Sequence, residues 1–186
     1  MTLGEMKKKV LRLIEEINEV NVKLTDDPDI AAKLNDVINQ VQFEVCRMKK
    51  IPAKHVLNVL DKSGYDLKEI KGFYQLDNIR FITEGGEEGE VDIFGTLLEF
   101  PEAGTATMYY FKYPERITDN TPDTYEFELS DDALEVIPYG VAADLLKSDI
   151  SNNYGQIYSQ RYESMLSRLD PRYSMGSIYF EGGVSI

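Results

Sequence analysis

Arg47-Met48-Lys49-Lys50-Ile51-Pro52-Ala53-Lys54-His55-Val56-Leu57-Asn58-Val59-Leu60 is the stretch in which the period of the chain changes. Before it, apolar residues recur every three or four positions; from His55 onward they alternate. Upstream, Ile30, Leu34, Val37, Ile38, Val41, Val45 and Met48 share one face of a helix that opens at Asp26-Asp27-Pro28-Asp29. Pro28 suits the first helical turn, and the acids favour its positive end. Arg47, Lys49 and Lys50 complement the other end, and Pro52 stops the helix. An earlier helix opens with Thr2 and Glu5 at capping-box spacing, followed by Leu3, Met6, Val10, Leu13, Ile14 and Ile17 at helical steps. Residues 18–24 form a polar connection, so residues 1–50 read as a helical hairpin.

Downstream, residues 56–60, 74–83, 91–100, 105–113 and 125–129 read as strands, dense in β-branched and aromatic side chains. Turn chemistry separates them at Lys62-Ser63-Gly64, Glu84-Gly85-Gly86-Glu87-Glu88-Gly89, 101–104 and 114–123. A small antiparallel sheet or sandwich is expected. Helix signals return at Ser130-Asp131-Asp132, with Leu134, Ile137, Val141, Leu145, Leu146 and Ile150 on one face and a kink expected at Pro138. A fourth helix over 154–169 ends at Asp170-Pro171. Each helical pair has one apolar stripe to bury, and each is the other's obvious partner. The expected fold is therefore α+β: a four-helix bundle of residues 1–54 and 130–171. Between its two hairpins a small antiparallel β domain, 55–129, is inserted, and 172–186 follow as an extended tail. Leu13, Ile17, Val37, Val41, Leu134, Val141, Leu145 and Leu166 are expected in the bundle core.

Composition is that of a water-soluble chain: 186 residues, 42% hydrophobic, 28% charged, mean hydropathy −0.34. No apolar run approaches the roughly 20 residues of a membrane helix. Met1-Thr2-Leu3-Gly4-Glu5 lacks the regions of a signal peptide, and one cysteine, Cys46, makes no internal disulfide. Synthesis in the cytosol is expected. The net charge of −13 is uneven: +1 over 1–54, −13 over 55–135 and −1 over 136–186. An acidic middle argues against a phosphate-binding surface there. It reads as a solvated surface or, more sharply, as a face that lets DNA pass without sticking, with Glu84, Glu87, Glu88 and Glu90 as the candidate channel-facing loop.

Catalytic hardware is sparse. His55 is the only histidine, beside Lys54 at a helix-to-strand boundary, and no Gly-x-Ser-x-Gly elbow occurs. Cys46 lies among Phe43, Val45 and Met48 and reads as a small buried hydrophobe. One Cys and one His exclude a structural zinc cluster within the chain, and Asp26 to Asp29 lack the rest of a calcium loop. The run 85–90 has no Lys for a phosphate and reads as a hairpin turn. Pro122-Asp123 with Glu126 and Glu128 loosely resembles the acidic pattern of some metal-dependent nucleases, but the accompanying lysine is missing from that strand. No enzyme activity, cofactor or metal is expected. Tyrosine usage is unusual, with 12 Tyr and no Trp. Tyr154, Tyr158 and Tyr162 fall at four-residue intervals on one helix, as core packing or as a subunit contact. The tail carries Tyr173, Ile178, Tyr179 and Phe180, interrupted by Gly176, Gly182 and Gly183, and suits an extended arm docked on its own sheet or on a neighbour.

Asp131-Asp132-Ala133-Leu134-Glu135-Val136-Ile137-Pro138-Tyr139-Gly140-Val141-Ala142-Ala143-Asp144-Leu145-Leu146, continued by Tyr154-Gly155-Gln156-Ile157-Tyr158-Ser159-Gln160-Arg161-Tyr162-Glu163, is similar to the third and fourth helices of tailed-bacteriophage head-to-tail connectors. These are also called adaptors or head-completion proteins. Met1-Thr2-Leu3-Gly4-Glu5-Met6 and the helical hairpin resemble that family too. The resemblance covers the helical three fifths of the chain, and the β block matches in position only. It implies a structural virion protein in the neck, made in the bacterial cytoplasm. Identical subunits, typically twelve, would form a ring beneath the portal, contact portal and tail or neck proteins, and extend the channel through which DNA passes. No membrane is involved. Two other classes compete: a monomeric or low-order binding module of a virion, with a β domain on a helical stalk, and an acidic-site metal-dependent nuclease.

Overall fold

The computed structural model describes residues 1–15, 25, 27–147 and 153–170. Two helices open the chain, α1 (Leu3–Leu13) and α2 (Pro28–Met48). Thr2 caps α1 through the expected reciprocal pair: its N–H donates to Glu5 Oε2 at 2.8 Å, and its hydroxyl accepts from Glu5 N at 3.3 Å. Asp27 caps α2, its carboxylate accepting from the N–H groups of Asp29 (2.8 Å) and Ile30 (3.2 Å), with Pro28 behind it. Three helices close the described chain: α3 (Asp131–Leu134), α4 (Ile137–Leu145) and α5 (Tyr154–Leu166).

The four-helix bundle with an inserted β domain is not what these helices form. Pro138 breaks the expected third helix instead of kinking it. It has no N–H to give Leu134, and its ring excludes the helical carbonyl four residues back, so α3 ends and α4 restarts with Pro138 in its first turn. α4 is then the hub, packed on α5, α2 and α1, while α1 and α2 make no extensive contact as a hairpin. Its buried positions, Ile137, Pro138, Gly140, Val141 and Ala142, suit an element enclosed by neighbours. Gly140 lets the helices approach: a Cβ there would stand 2.8 Å from the Tyr162 ring and 2.9 Å from Val41.

The second departure is residues 113–130, an extended arm that enters the helical core. Ile117, Phe127 and Leu129 are buried among Leu3, Val41, Leu134 and Ile137. Residues 125–129 are not a strand; their one ladder contact is an isolated bridge, Thr2 to Glu126. Around it Leu3 N donates to Tyr125 O (2.8 Å), Gly4 N to Asp123 O (2.9 Å) and Phe127 N to Met1 O (3.3 Å). The orphan amides of the α1 N-terminus are thus satisfied by the arm. On α2, Asn39 mimics a peptide group. Its Nδ2 donates to Ile117 O at 2.7 Å, and its Oδ1 accepts from Ile117 N at 2.8 Å. Gln42 donates to both Asn39 Oδ1 (2.9 Å) and Glu115 O (3.1 Å). Of the expected core residues, Val37, Val41, Leu134 and Val141 are buried, and Leu13, Leu145 and Leu166 pack at its margin. Ile17 lies outside the described residues.

Among the described residues seven strands follow α2 and form two antiparallel sheets. In the larger, β1 (Ile51–Val59), β7 (Gly104–Lys112), β3 (Phe73–Thr83) and β4 (Glu88–Gly89) lie in that order. In the smaller, β2 (Ser63–Asp66), β6 (Leu97–Phe100) and β5 (Asp92–Phe94) do. β1 starts at Ile51, earlier than the change of period suggests. Pro52 is tolerated because β1 is an edge strand. The expected strand over 91–100 is a hairpin, β5 to β6, turning at Gly95 with φ 63°. Val59, Phe81, Met108 and Tyr110 of the larger sheet meet Leu98 and Phe100 of the smaller in a second core, with the Phe81 and Phe100 rings 5.2 Å apart. The sheets form a sandwich.

Asn39→Ala leaves the buried N–H and C=O of Ile117 without their partner, at about 1–3 kcal/mol each. Urea unfolding should show a loss of roughly 2–6 kcal/mol. Asn35→Ala, which removes an exposed bond to Asp119 and a buried Oδ1 that has no partner among the described residues, should cost no more than about 0.5 kcal/mol. Gly140→Ala should also destabilise, because overpacking of about 1–3 kcal/mol outweighs the roughly 1 kcal/mol that Ala gains over Gly in a helix.

Candidate functional site

The register of the larger sheet fixes where the acidic residues lie. Ile51, at the helical core, pairs with Lys112; Val59 pairs with Gly104, which also faces Thr83. Eight residue steps at about 3.4 Å carry the sheet about 27 Å away from the helices. The loops 60–62, 84–87 and 101–103 therefore gather at the far end, bringing together Asp61, Glu84, Glu87 and Glu102, all exposed. Gly104 is required there, since a Cβ would fall 2.3 Å from Ile82 O. The acidic loop is a tight hairpin: Thr83 N donates to Glu87 O and Gly86 N to Thr83 O, both at 2.9 Å, with Gly86 at φ 83°. Glu84 N donates to Ala103 O at 3.1 Å, joining two of the loops. Glu88 pairs with Arg80 at 3.2 Å, and Glu90 is exposed just beyond β4. Leu60, 89% exposed, belongs to the same end.

The tyrosines of α5 do not share one environment. At 3.6 residues per turn each four-residue step drifts about 40° around the helix. Tyr154 is exposed, Tyr158 half-buried with its hydroxyl donating to Leu13 O at 2.8 Å, and Tyr162 buried. Burial, reinforced by the Glu44 carboxylate, pushes the Tyr162 hydroxyl pKa up, and that hydroxyl has no hydrogen-bond partner among the described residues. The Tyr154 and Tyr158 rings stack at 6.2 Å, and Arg161 lies 4.3 Å from the Tyr139 ring. Tyr154 and Ile157, both about half exposed, form the outward face of α5. Tyr173, Ile178, Tyr179 and Phe180 lie outside the described residues.

The residues weighed for catalysis are held apart. His55 stacks on Tyr65 at 6.1 Å, between the sheets. Cys46 is buried with Sγ 3.6 Å from Lys112 O, and burial pushes its thiol pKa up, away from the reactive thiolate. Asp123 pairs with Lys7 at 3.0 Å, Glu128 with Lys112, and Glu126 joins the bridge to Thr2. Lysines thus reach two of the three acids from other elements, each making a separate ion pair. Among the described residues no group of three His, Cys, Asp or Glu is placed to hold a metal ion. No described helix is long and apolar enough to cross a membrane. No protein-family model matches the chain, and no curated protein does.

Four carboxyls are held below their ordinary range by the fold: Glu5 by the Thr2 N–H, Asp66 by the Lys68 N–H, Glu115 by Lys71 and Asp132 by the Ser130 hydroxyl and Lys49. Because folding lowers these pKa values, their stabilisation is complete above the unfolded carboxylate range and disappears as pH falls through the folded values. The melting temperature should be level above about pH 5 and fall steadily from about pH 4 downward. A melting temperature that rises on acidification over that interval contradicts this assignment.

Proposed function

We propose that this chain is a structural virion protein, a head-to-tail connector that forms a ring between portal and tail and extends the DNA channel. The corrected helical packing leaves this reading resting on the sequences of residues 131–146 and 154–163 and on the acidic end of the sandwich. The observation that carries it is the exposed hairpin with Glu84, Glu87, Glu88 and Glu90, whose tip at Glu84 and Glu87 the strands hold about 27 Å from the helical core. A wall of fixed carboxylates repels phosphate at the close range set by a Debye length of about 8 Å, so a duplex moves along it without binding. The helical half contributes the outward Tyr154 and Ile157 for contacts with the portal or tail, and twelve copies is the number the resemblance implies.

Replacing Glu84, Glu87, Glu88 and Glu90 by Gln should leave the melting temperature within about 2 °C, because all four are exposed. In virus particles assembled with that variant, passage of DNA should slow at low salt as the repulsion is lost. Unchanged passage, or particles that contain no copy of the chain, contradicts the reading.

A further inference from the structure

The two outer faces of the sandwich have opposite chemistry. On the larger sheet, antiparallel register sets Lys54 beside Tyr109 and Asn78, Val56 beside Thr107 and Arg80, and Asn58 beside Thr105 and Ile82. These side chains point away from the second core, whose inward residues alternate with them. None of these nine is acidic, although residues 55–135 carry a net charge of −13; the third row continues into β4 with Glu88, opposite Ile82. Glu88 pairs with Arg80 at 3.2 Å, and Asp77 lies at an irregularity in β3. Lys54 is exposed, lies 5.8 Å from the Tyr109 ring and has no ion-pair partner among the described residues; Val56 beside it is 52% exposed.

On the smaller sheet, Asp66, Leu97 and Phe94 form one outward row and Gly64, Glu99 and Asp92 the next. Phe94 is 84% exposed and Leu97 38%, side by side. Asp92 stands directly opposite Glu99, a like-charge pair that weakens a sheet unless something cationic covers it. An apolar pair ringed by three carboxylates asks for a partner surface with apolar contact flanked by cations. The outer face of the larger sheet offers Val56 beside the exposed Lys54, with Arg80 held by Glu88, and it lies on the opposite side of the same sandwich.

We propose that copies of this chain associate head to tail through these faces. The Asp92, Phe94, Leu97 and Glu99 face of one copy seats on the Lys54, Val56, Tyr109 and Arg80 face of the next. Because the faces lie on opposite sides, every copy offers both halves of the contact; the succession closes into a ring where the rotation per copy is a whole fraction of a turn, and runs on as a filament where it is not. The contact rests on the ring reading above and names the surfaces that build it.

Two charge-reversed full-length chains test it. Lys54→Glu with Arg80→Glu makes both faces acidic; Asp92→Lys with Glu99→Lys makes both basic. Each alone should sediment as a 21.2 kDa monomer where the unaltered chain associates. Mixed in equal amounts, they should associate at least about tenfold more tightly than either alone, because each acidic face then meets a basic one. Both variants keep a net negative charge, so general attraction between oppositely charged proteins does not produce that result. A mixture that stays monomeric, or either variant assembling like the unaltered chain, overturns this contact and leaves the ring reading standing. An unaltered chain that remains monomeric at low salt up to about 1 mM, where association is worth only about 4 kcal/mol, overturns this contact, whereas the ring reading falls only if assembled particles contain no copy of the chain.

Discussion

Asn39 holds the structure together in a way that no stripe of apolar residues does. Its amide pairs with both backbone groups of Ile117, at 2.7 and 2.8 Å, on a buried helix face whose other polar residue is Gln42. Each such bond contributes about 0.5–1.5 kcal/mol net, but a buried amide left unpaired costs more, so the side chain admits one placement of the arm. Gln42 secures the preceding turn through Glu115 O. With the arm pinned to α2, Phe127 and Leu129 reach the core, and Thr2 to Gly4 find the backbone partners that start α1.

That constraint decides the helical packing. Two amphipathic helices with matched stripes would close on each other in a hairpin; here the arm occupies part of the space such a hairpin needs. α4, short and enclosed, becomes the common neighbour, and Gly140 permits its close approach to α2 and α5. The larger sheet grows from the same place. β1 leaves α2 through Ile51, itself part of the helical core, and β7 returns to it at Lys112, whose carbonyl lies 3.6 Å from Cys46 Sγ. The helical end is thereby fixed relative to the strands, and the acidic hairpin is set at the opposite end.

Local chemistry was legible in the sequence. The Thr2/Glu5 box, the Asp27-Pro28 start of α2 and the turn at 84–89 follow from short-range hydrogen bonding and backbone preference, which a linear reading captures. Long-range polar choices were not. Asn39 and Gln42 resemble ordinary polar positions until Ile117 and Glu115 are placed beside them. The outcome at Pro138 depended on whether tertiary contacts would sustain a continuous helix, and Leu134 and Ile137 instead found partners in separate short ones. Within 91–100, alternation persists through the Gly95 turn because β5 and β6 share a pleat, so one strand and a tight hairpin look alike. Of the candidate site, the exposure of the four glutamates was readable from composition and turn signals. Their gathering with Asp61 and Glu102 required the register, and the unequal burial of Tyr154, Tyr158 and Tyr162 required the drift of α5 against its neighbours.

The division of labour that results is physical before it is biological: a helical end rigidified by a buried polar clip, and a sandwich whose acidic tip and two unlike faces are exposed. Backbone hydrogen exchange at Ile117 tests the clip most directly, since its N–H donates to Asn39 Oδ1 inside the core. The account predicts that this amide exchanges only when the whole chain unfolds, with the same free energy as the buried amides of α2 around Val41. Exchange at Ile117 through local opening, orders of magnitude faster than in α2, would contradict it, showing the arm to be a loop laid over helices that pack without it.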